Sequence, residues 1–234
     1  MHLTRFRINT ARLGARSLLV SPQRLHAAVM SSFAGALPSD TDQTRTLWRL
    51  DRNAKAEILL YIVSKERPDL THLVEQAGWP TTAAWETYDY GAFLDGLHTG
   101  DAWAFRLTAN PVHQIRRKEG EPTKRTAHVT PRHQMGWLLA RQEAAGFRIL
   151  TTPPEQRRLP EGDEYQLAVR DEHRHRFEKA DPSGGRPNRV PLVAVTYDGR
   201  LEVTDPDALR RTLTLGLGKA KAYGCGLMTL AKAT

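Results

Sequence analysis

A glycine-rich segment near the end of the sequence has the composition of a phosphate-binding loop. Residues 216–226 read GLGKAKAYGCG, with two Gly-x-Gly pairs and two lysines between them. Glycine lacks a Cβ, so its backbone N–H groups can approach a phosphate closely and adopt unusual dihedral angles. The residues predicted to contact a polyanion here are Gly216, Gly218, Lys219, Lys221, Gly224 and Gly226.

The same glycines also have a purely structural interpretation. Gly216 could cap the preceding helix, while Gly224 and Gly226 could serve a turn. Four glycines with two lysines favour ligand binding over this alternative. A nucleotide-binding enzyme is disfavoured, because the segment follows a helix and enters a strand, the reverse of a Rossmann turn, and lacks the Lys-Ser/Thr ending of a P-loop.

His26 is the second candidate for chemistry. It lies one residue beyond the core residue Leu25, and therefore about 100° around the helix from the apolar stripe. Imidazole is the side chain best suited to moving protons near neutral pH. A histidine at such a position is more often an ordinary half-buried residue, so position alone leaves both roles open.

Metal binding is not expected. The single cysteine, Cys225, excludes an internal disulfide framework and a multi-cysteine zinc site. Nine histidines remain, and the closest pairs are His128 with His133 and His173 with His175. Because no cysteine or carboxylate cluster accompanies them at ligand spacing, we expect neither a metal ion nor another cofactor.

The charge of the chain indicates a polyanionic partner. Lysine and arginine number 34 against 26 acidic residues, which gives a net charge of +8. Nucleic acid is favoured over a membrane, because no apolar run approaches the roughly 18 to 20 residues of a spanning helix and no lipidation motif is present. The opening MHLTRFRINT lacks the apolar core of a signal peptide, so we expect a cytoplasmic protein.

The first half of the sequence predicts the elements that must position His26. A helix is expected to begin at Ser21, a capping residue, and Pro22, which suits the first helical position. Alternation of apolar and charged residues predicts a strand before it, over residues 3–8. Strand signals follow at 45–51, 57–64, 85–90 and 103–109, with a helix at 70–77. Strand, helix, two strands, helix, strand is the order of a ferredoxin-like domain.

The second half repeats this order less clearly. A helix is predicted over 132–146 and another from Asp205-Pro206 to about residue 215. Strands are predicted at 147–150, 165–177, 192–197, 201–203 and 227–230, with a hairpin turn at Asp198-Gly199. We therefore predict an α+β protein of two tandem ferredoxin-like (βαββαβ) domains, each an antiparallel sheet with helices on one face. The predicted division is an N-terminal domain 1–110, a basic linker 111–131 and a C-terminal domain 132–234.

Two polar segments are predicted to be loops, at 113–125 (with RRKEGEPTKR) and 181–191. A charged run is usually a solvated loop, but basic loops beside a sheet also bind phosphates and become ordered on binding.

Several sequence blocks together resemble one family. The opening MHLTRF, the helix with His26, LWRL at 47–50, FRLTANP at 105–111, GRLEV at 199–203 and the terminal G-x-G-x5-G-x-G are similar to CasE. CasE is the CRISPR repeat-processing endoribonuclease of type I-E Cascade. The order and spacing of these blocks cover nearly the whole chain, which makes their combination more specific than any single block.

The resemblance implies tandem ferredoxin-like domains and one metal-independent cut at the 3′ base of a repeat stem-loop. It also implies that CRISPR repeat RNA and other Cascade subunits are partners, and that the product hairpin stays bound. The family's catalytic histidine matches His26, and Lys124 and Arg125 resemble a basic pair in the family. Some relatives carry tyrosine where this chain has Gln23, which can form hydrogen bonds but cannot transfer protons.

The corresponding hypothesis is attack of the RNA 2′-hydroxyl on the adjacent phosphate, giving a 2′,3′-cyclic phosphate and a 5′-hydroxyl. His26 would act as base or acid, and the sequence leaves both open. An A-form stem is bound mainly through backbone charge and shape. Besides the glycine-rich segment, the predicted RNA contacts are Gln23, Arg24, Arg116, Arg117 and Arg132, with the basic stretch 170–179 near the stem base. A non-catalytic subunit that binds structured RNA is the alternative.

Overall fold

The computed structural model describes residues 1–34, 45–53, 57–79, 85–115, 123–159, 162–179 and 188–232, and within these ranges two larger antiparallel sheets are formed. The strands are β1 (His2–Ile8), β2 (Leu47–Arg52), β3 (Ile58–Ser64), β4 (Trp85–Asp89), β5 (Ala102–Ala109), β6 (Val112–Ile115), β7 (Lys124–Ala127), β8 (Phe147–Ile149), β9 (Leu167–Lys179), β10 (Asn188–Val203) and β11 (Met228–Lys232). The helices are α1 (Leu13–Val20), α2 (Pro22–Met30), α3 (Thr71–Ala77), α4 (Tyr90–Asp95), α5 (Pro131–Leu139) and α6 (Pro206–Leu215), with 3-10 turns at Pro154–Gln156 and Lys221–Tyr223.

The first sheet has the strand order β2-β3-β1-β4. Helices α1, α2 and α3 cover one of its faces, where Leu25 and Val29 of α2 pack against Phe6 of β1. This is the predicted ferredoxin-like arrangement. Helix α1 was not predicted, because Arg12, the residue before it, provides no side-chain cap. The Arg12 guanidinium instead donates hydrogen bonds to carbonyl oxygens at the end of α3.

The second sheet repeats this order as β11-β5-β10-β8, with β9 paired to β10. Helices α5 and α6 contribute Trp137, Leu138, Leu209 and Leu213 to its core. The C-terminal half therefore has the predicted ferredoxin-like topology as well.

Strand β5 belongs to this second sheet, where it pairs with both β10 and β11. The predicted division at residue 110 placed these residues in the N-terminal domain. The difference arises because alternating apolar residues predict a strand but do not identify the strand that it pairs with. The chain passes from the first sheet to the second in the segment between β4 and β5. The predicted linker 111–131 contains the β6–β7 hairpin.

The predicted hairpin at Asp198-Gly199 is wrong, because β10 continues through both residues. Gly199 instead permits close packing: a Cβ at this position would lie 2.4 Å from the Gln166 carbonyl oxygen and 2.9 Å from a Phe105 ring carbon. Asp198 accepts a 2.6 Å hydrogen bond from Arg106 Nε rather than shaping a turn.

The helix boundaries follow their capping residues. Ser21 Oγ accepts from the Arg24 backbone N–H at the start of α2, as predicted. Asp205 likewise accepts from two backbone N–H groups at the start of α6. Helix α5 ends at Leu139, earlier than the predicted residue 146. No helix in the described part of the chain is long and apolar enough to cross a membrane.

A buried arginine joins the two sheets. Arg49 of β2 is 1% exposed, and its guanidinium forms a bidentate pair with Asp51, at 2.6 and 2.9 Å. Its other N–H groups donate to the Arg106 carbonyl of β5 at 2.7 Å, the Leu227 carbonyl at 3.0 Å and Thr229 Oγ1 of β11 at 2.8 Å. All five guanidinium donors are thereby satisfied, three of them by the second sheet.

We predict that Arg49→Leu destabilises the protein by about 3–5 kcal/mol, because it leaves the Asp51 carboxylate buried without its bidentate partner. Urea denaturation measures this loss in the free energy of unfolding. Arg148→Leu is the matched control, since Arg148 pairs with Glu202 at the surface and such pairs contribute about 1 kcal/mol or less. Equal losses in both variants would contradict the prediction.

Candidate active site

His26 is held against the first sheet by a tryptophan. Its ring is half-buried on α2, and Trp48 Nε1–H of β2 donates a hydrogen bond to His26 Nδ1 at 3.3 Å. Trp48 itself is only 2% exposed, and its register opposite Ile62 of β3 fixes it in the sheet. The imidazole is therefore positioned by the strand beneath it as well as by its own helix.

This hydrogen bond determines the tautomer of His26. An indole N–H can only donate, so Nδ1 must carry a free lone pair and the neutral ring must carry its proton on Nε2. Burial lowers the pKa of His26 below its ordinary value, because desolvation disfavours the charged form. At neutral pH His26 is thus a neutral imidazole with an Nε2–H group.

The four predicted glycines all have positive φ angles, between 78° and 98°, and lie against the protein's own groups. A Cβ on Gly224 would lie 2.6 Å from Cζ3 of Trp48, and one on Gly218 would lie 3.0 Å from Cζ2 of Trp137. Gly216 ends α6, and its N–H donates to the Thr212 carbonyl at 3.0 Å. Backbone conformation and close packing therefore require these glycines, in agreement with their structural interpretation.

The lysines of the same segment lie beside the helix that carries His26. The turn Lys221–Tyr223 packs against α2. Lys219 is exposed and Lys221 half-buried. The pKa of Lys221 is lowered by burial first, and then by the positive charges of Arg45 and Lys219. Three cations from both halves of the chain thus gather at the turn that packs against α2, the helix of His26, where a polyanion would relieve their repulsion.

Two further predicted contacts flank His26 on α2. Gln23 is half-buried and Arg24 is exposed. The Arg24 guanidinium donates a 2.9 Å hydrogen bond to Ser17 Oγ of α1.

The other predicted basic residues follow β5 in the sequence. Arg132 is exposed in the first turn of α5. Lys124 and Arg125 lie in β7, paired with β6, but their side chains lie outside the described part of the structure, as do residues Arg116 and Arg117. The described elements at His26 are therefore its own helix α2, the strand β2 with Trp48, and the turn Lys221–Tyr223 packed against α2.

The basic stretch 170–179 forms most of β9. Arg170 is paired with Asp198, and Arg174 with Glu172 at 2.8 Å, so these two charges are locally compensated. The His173 and His175 rings lie 6.3 Å apart. Within the described ranges, no group of three or more His, Cys, Asp or Glu is arranged to hold a metal ion.

A cleft of about 110 Å³ is lined by residues of both domains. Trp48 and Tyr223 line it, together with the polar side chains of Arg52, His173 and His175. Trp48 thus contacts both the cleft and His26. Sequence reasoning missed this residue, because a tryptophan in a predicted strand gives only a core signal.

Comparisons with known proteins agree on one family. The family model described as CRISPR associated protein matches residues 1–232. The CRISPR-associated endoribonuclease Cse3 of Thermus thermophilus is 31% identical over 233 residues, which is 99% of this chain and 100% of that protein. The CRISPR system Cascade subunit CasE of Escherichia coli K12 is 25% identical over 197 residues, covering 79% and 88% of the two chains.

A solved structure of T. thermophilus Cse3 bound to an RNA representing a pre-cleavage complex is also similar. It has 27% sequence identity and a TM-score of 0.73, with 98% of each chain covered. The similarity therefore spans both domains rather than one of them.

We predict that the His26 imidazole titrates below the ordinary value of about 6.5 in the folded protein, and at that value in the urea-unfolded chain. NMR titration measures both. Between the two pKa values the unfolded state binds more protons, so the free energy of unfolding falls as the pH falls through this window. His26→Gln should reduce that pH dependence. A folded pKa at or above the unfolded one would contradict the prediction.

Proposed function

Since the chain belongs to the CasE/Cse3 family of CRISPR associated proteins, we propose that it is an endoribonuclease that cleaves CRISPR precursor RNA at the 3′ base of the repeat stem-loop. The observation that supports this most directly is His26, held by Trp48 on α2, with the cations Arg45, Lys219 and Lys221 gathered at the turn that packs against this helix. A proton-carrying imidazole next to concentrated positive charge is what phosphodiester cleavage requires.

The proposed reaction is metal-independent transesterification. The 2′-oxygen forms a bond to the adjacent phosphorus, the bond from phosphorus to the 5′-oxygen breaks, and the 2′-proton leaves while the 5′-oxygen gains one. The products are a 2′,3′-cyclic phosphate and a 5′-hydroxyl. In the tautomer held by Trp48, the neutral His26 ring offers its Nε2–H as a hydrogen bond to the phosphate, whose developing negative charge it would stabilise. Full proton transfer to the departing 5′-oxygen would need the imidazolium form, and removal of the 2′-proton would need a free nitrogen lone pair, so acid and base remain the two candidate roles.

Other residues are proposed to stabilise charge and bind the substrate. Lys124 and Arg125 would stabilise the extra negative charge of the phosphorane, and Gln23 would form a hydrogen bond without transferring a proton. The stem of the repeat RNA would be held through its phosphates. The residues proposed for this binding are Arg24, Arg116, Arg117, Arg132, Lys219 and Lys221, with the glycine-rich segment 216–226 shaping the surface.

We further propose that the product hairpin stays bound and that the protein assembles with other Cascade subunits. The E. coli relative is named as such a subunit. A non-catalytic subunit that only binds structured RNA is the second candidate, and the cation cluster alone would suffice for it.

We predict that His26→Ala slows cleavage of the repeat RNA by about 10²–10⁴-fold, the usual contribution of a proton-transferring side chain. Single-turnover cleavage in EDTA, with end-group analysis of the products, measures this. His98→Ala, at an exposed histidine of the turn before β5, should cleave like the wild type. Normal cleavage by His26→Ala would refute its role, and loss of wild-type cleavage in EDTA would refute metal independence. RNA that is bound but left intact by the wild type would support the non-catalytic candidate.

We also predict that Lys221→Gln weakens RNA binding at low salt and reduces the slope of log affinity against log salt concentration by about one, because one phosphate contact is lost. Filter binding over a salt series measures the slope. Arg211→Gln, which removes the same charge from the exposed side of α6, should leave the slope unchanged. An unchanged slope for Lys221→Gln would remove Lys221 from the binding surface.

A further inference from the structure

Two glycines of the segment 216–226 each lie against a tryptophan ring, and the two tryptophans differ in the hydrogen bonding of their indole N–H. Gly224 lies under Trp48 and Gly218 under Trp137, and a Cβ added to each glycine would lie 2.6 and 3.0 Å, respectively, from the ring. Trp48 Nε1 donates to His26, whereas Trp137 Nε1 is buried and has no hydrogen-bond partner among the described residues. Only the Trp48 pair therefore connects the glycine-rich segment to the candidate catalytic histidine.

We propose that Trp48 is a positioning residue for His26, and that Gly224 of the second domain holds the Trp48 ring in place. This inference rests on the proposed cleavage function. It assigns Gly224 to the geometry of the active site, in place of the phosphate contact expected from its sequence context.

The contact between Gly224 and Trp48 leaves no space for a side chain at position 224. Gly224 has φ +79°, a conformation that other residues rarely adopt, and an added Cβ would overlap the six-membered ring of the indole. The Trp48 backbone cannot retreat easily, because β2 is paired with β3 along its length. A side chain at position 224 must therefore tilt the ring, and a tilt moves Nε1 relative to His26 Nδ1.

The indole N–H stabilises the neutral, Nε2-protonated form of His26. Protonating Nδ1 would place its hydrogen against the indole hydrogen, so the charged ring must lose this bond. Trp48→Phe keeps an aromatic ring but removes the donor. It should raise the His26 pKa by about 0.5 to 1 unit, since a neutral hydrogen bond contributes on the order of 1 kcal/mol.

The titratable groups on α2 and on the elements packed against it stay in place in this variant. Arg24 belongs to α2, Arg16 to the adjoining α1, and Lys221 and Tyr223 to the turn packed against α2. On β2 the charged side chains are Arg49, Asp51 and Arg52, with Arg49 and Asp51 paired to each other. A pKa difference between wild type and Trp48→Phe therefore comes from the indole itself, through its N–H donor and the burial that its ring provides, and not from an altered charge.

The first experiment compares Trp48→Phe with Trp137→Phe, which makes the same substitution at a tryptophan remote from His26. We expect Trp48→Phe to raise the His26 pKa by NMR and to slow single-turnover cleavage about tenfold at saturating RNA, with the Kd for RNA within about twofold of wild type. Trp137→Phe should change neither the His26 pKa nor the cleavage rate. An unchanged His26 pKa in folded Trp48→Phe, or equal cleavage losses in both variants, would overturn the proposal.

The second experiment separates the two roles of Gly224. Gly224→Ala should slow cleavage by about tenfold or more at saturating RNA and leave the Kd within about twofold of wild type. Gly100→Ala is the control, because Gly100 has φ +90° but an added Cβ would meet nothing within 4 Å. A weaker Kd with normal cleavage at saturation would show that Gly224 contacts RNA and would overturn the positioning role.

The pKa comparison also separates this inference from the proposed function, since it needs no RNA. If the wild type fails to cleave repeat RNA, the proposed function fails, while a higher His26 pKa in Trp48→Phe still supports the hydrogen bond. If the wild type cleaves and the pKa is unchanged, the function stands and the positioning role fails.

Discussion

The buried Arg49 guanidinium is the contact on which the arrangement of the two domains depends. Its charge is removed from water, which is tolerable only because Asp51 neutralises it, and because two carbonyl groups and the Thr229 hydroxyl of the second domain accept its remaining N–H groups. A hydrophobic contact would allow the two sheets to slide, whereas the three directional hydrogen bonds from Arg49 to the second sheet permit one register. Arg106 extends the network by contacting Asp51 at 3.5 Å and Asp198 at 2.6 Å.

That register also determines the position of Trp48, the residue before Arg49. Successive side chains of a strand point to opposite faces of the sheet, so fixing Arg49 toward the second domain places Trp48 on the face that α2 covers. The glycine-rich segment then reaches Trp48 from the second domain. The two domains therefore define the surroundings of His26 together, although His26 belongs to the first domain alone.

Local signals predicted much of this structure, and non-local pairing accounts for the rest. The capped start of α2, the helix after Asp205 and the repeated ferredoxin-like order followed from periodicity and capping residues. The sheet membership of β5 could not, because periodicity does not specify a partner strand, and Asp198-Gly199 gave a false turn signal because packing against Phe105 requires that glycine. His26 was identified through family resemblance, whereas nothing in the local sequence marks Trp48 as its hydrogen-bond partner.

The glycine-rich segment shows why composition alone could not separate its two roles. A loop that binds phosphate and a loop that packs against aromatic rings both need residues without a Cβ and with positive φ. Here the glycines face tryptophan rings and backbone, while Lys219 and Lys221 supply the positive charge. The glycines bring the second domain close to α2, and this closeness places the lysine charges beside the helix that carries His26. A single domain carrying His26 would have the imidazole without the cations contributed by the second domain.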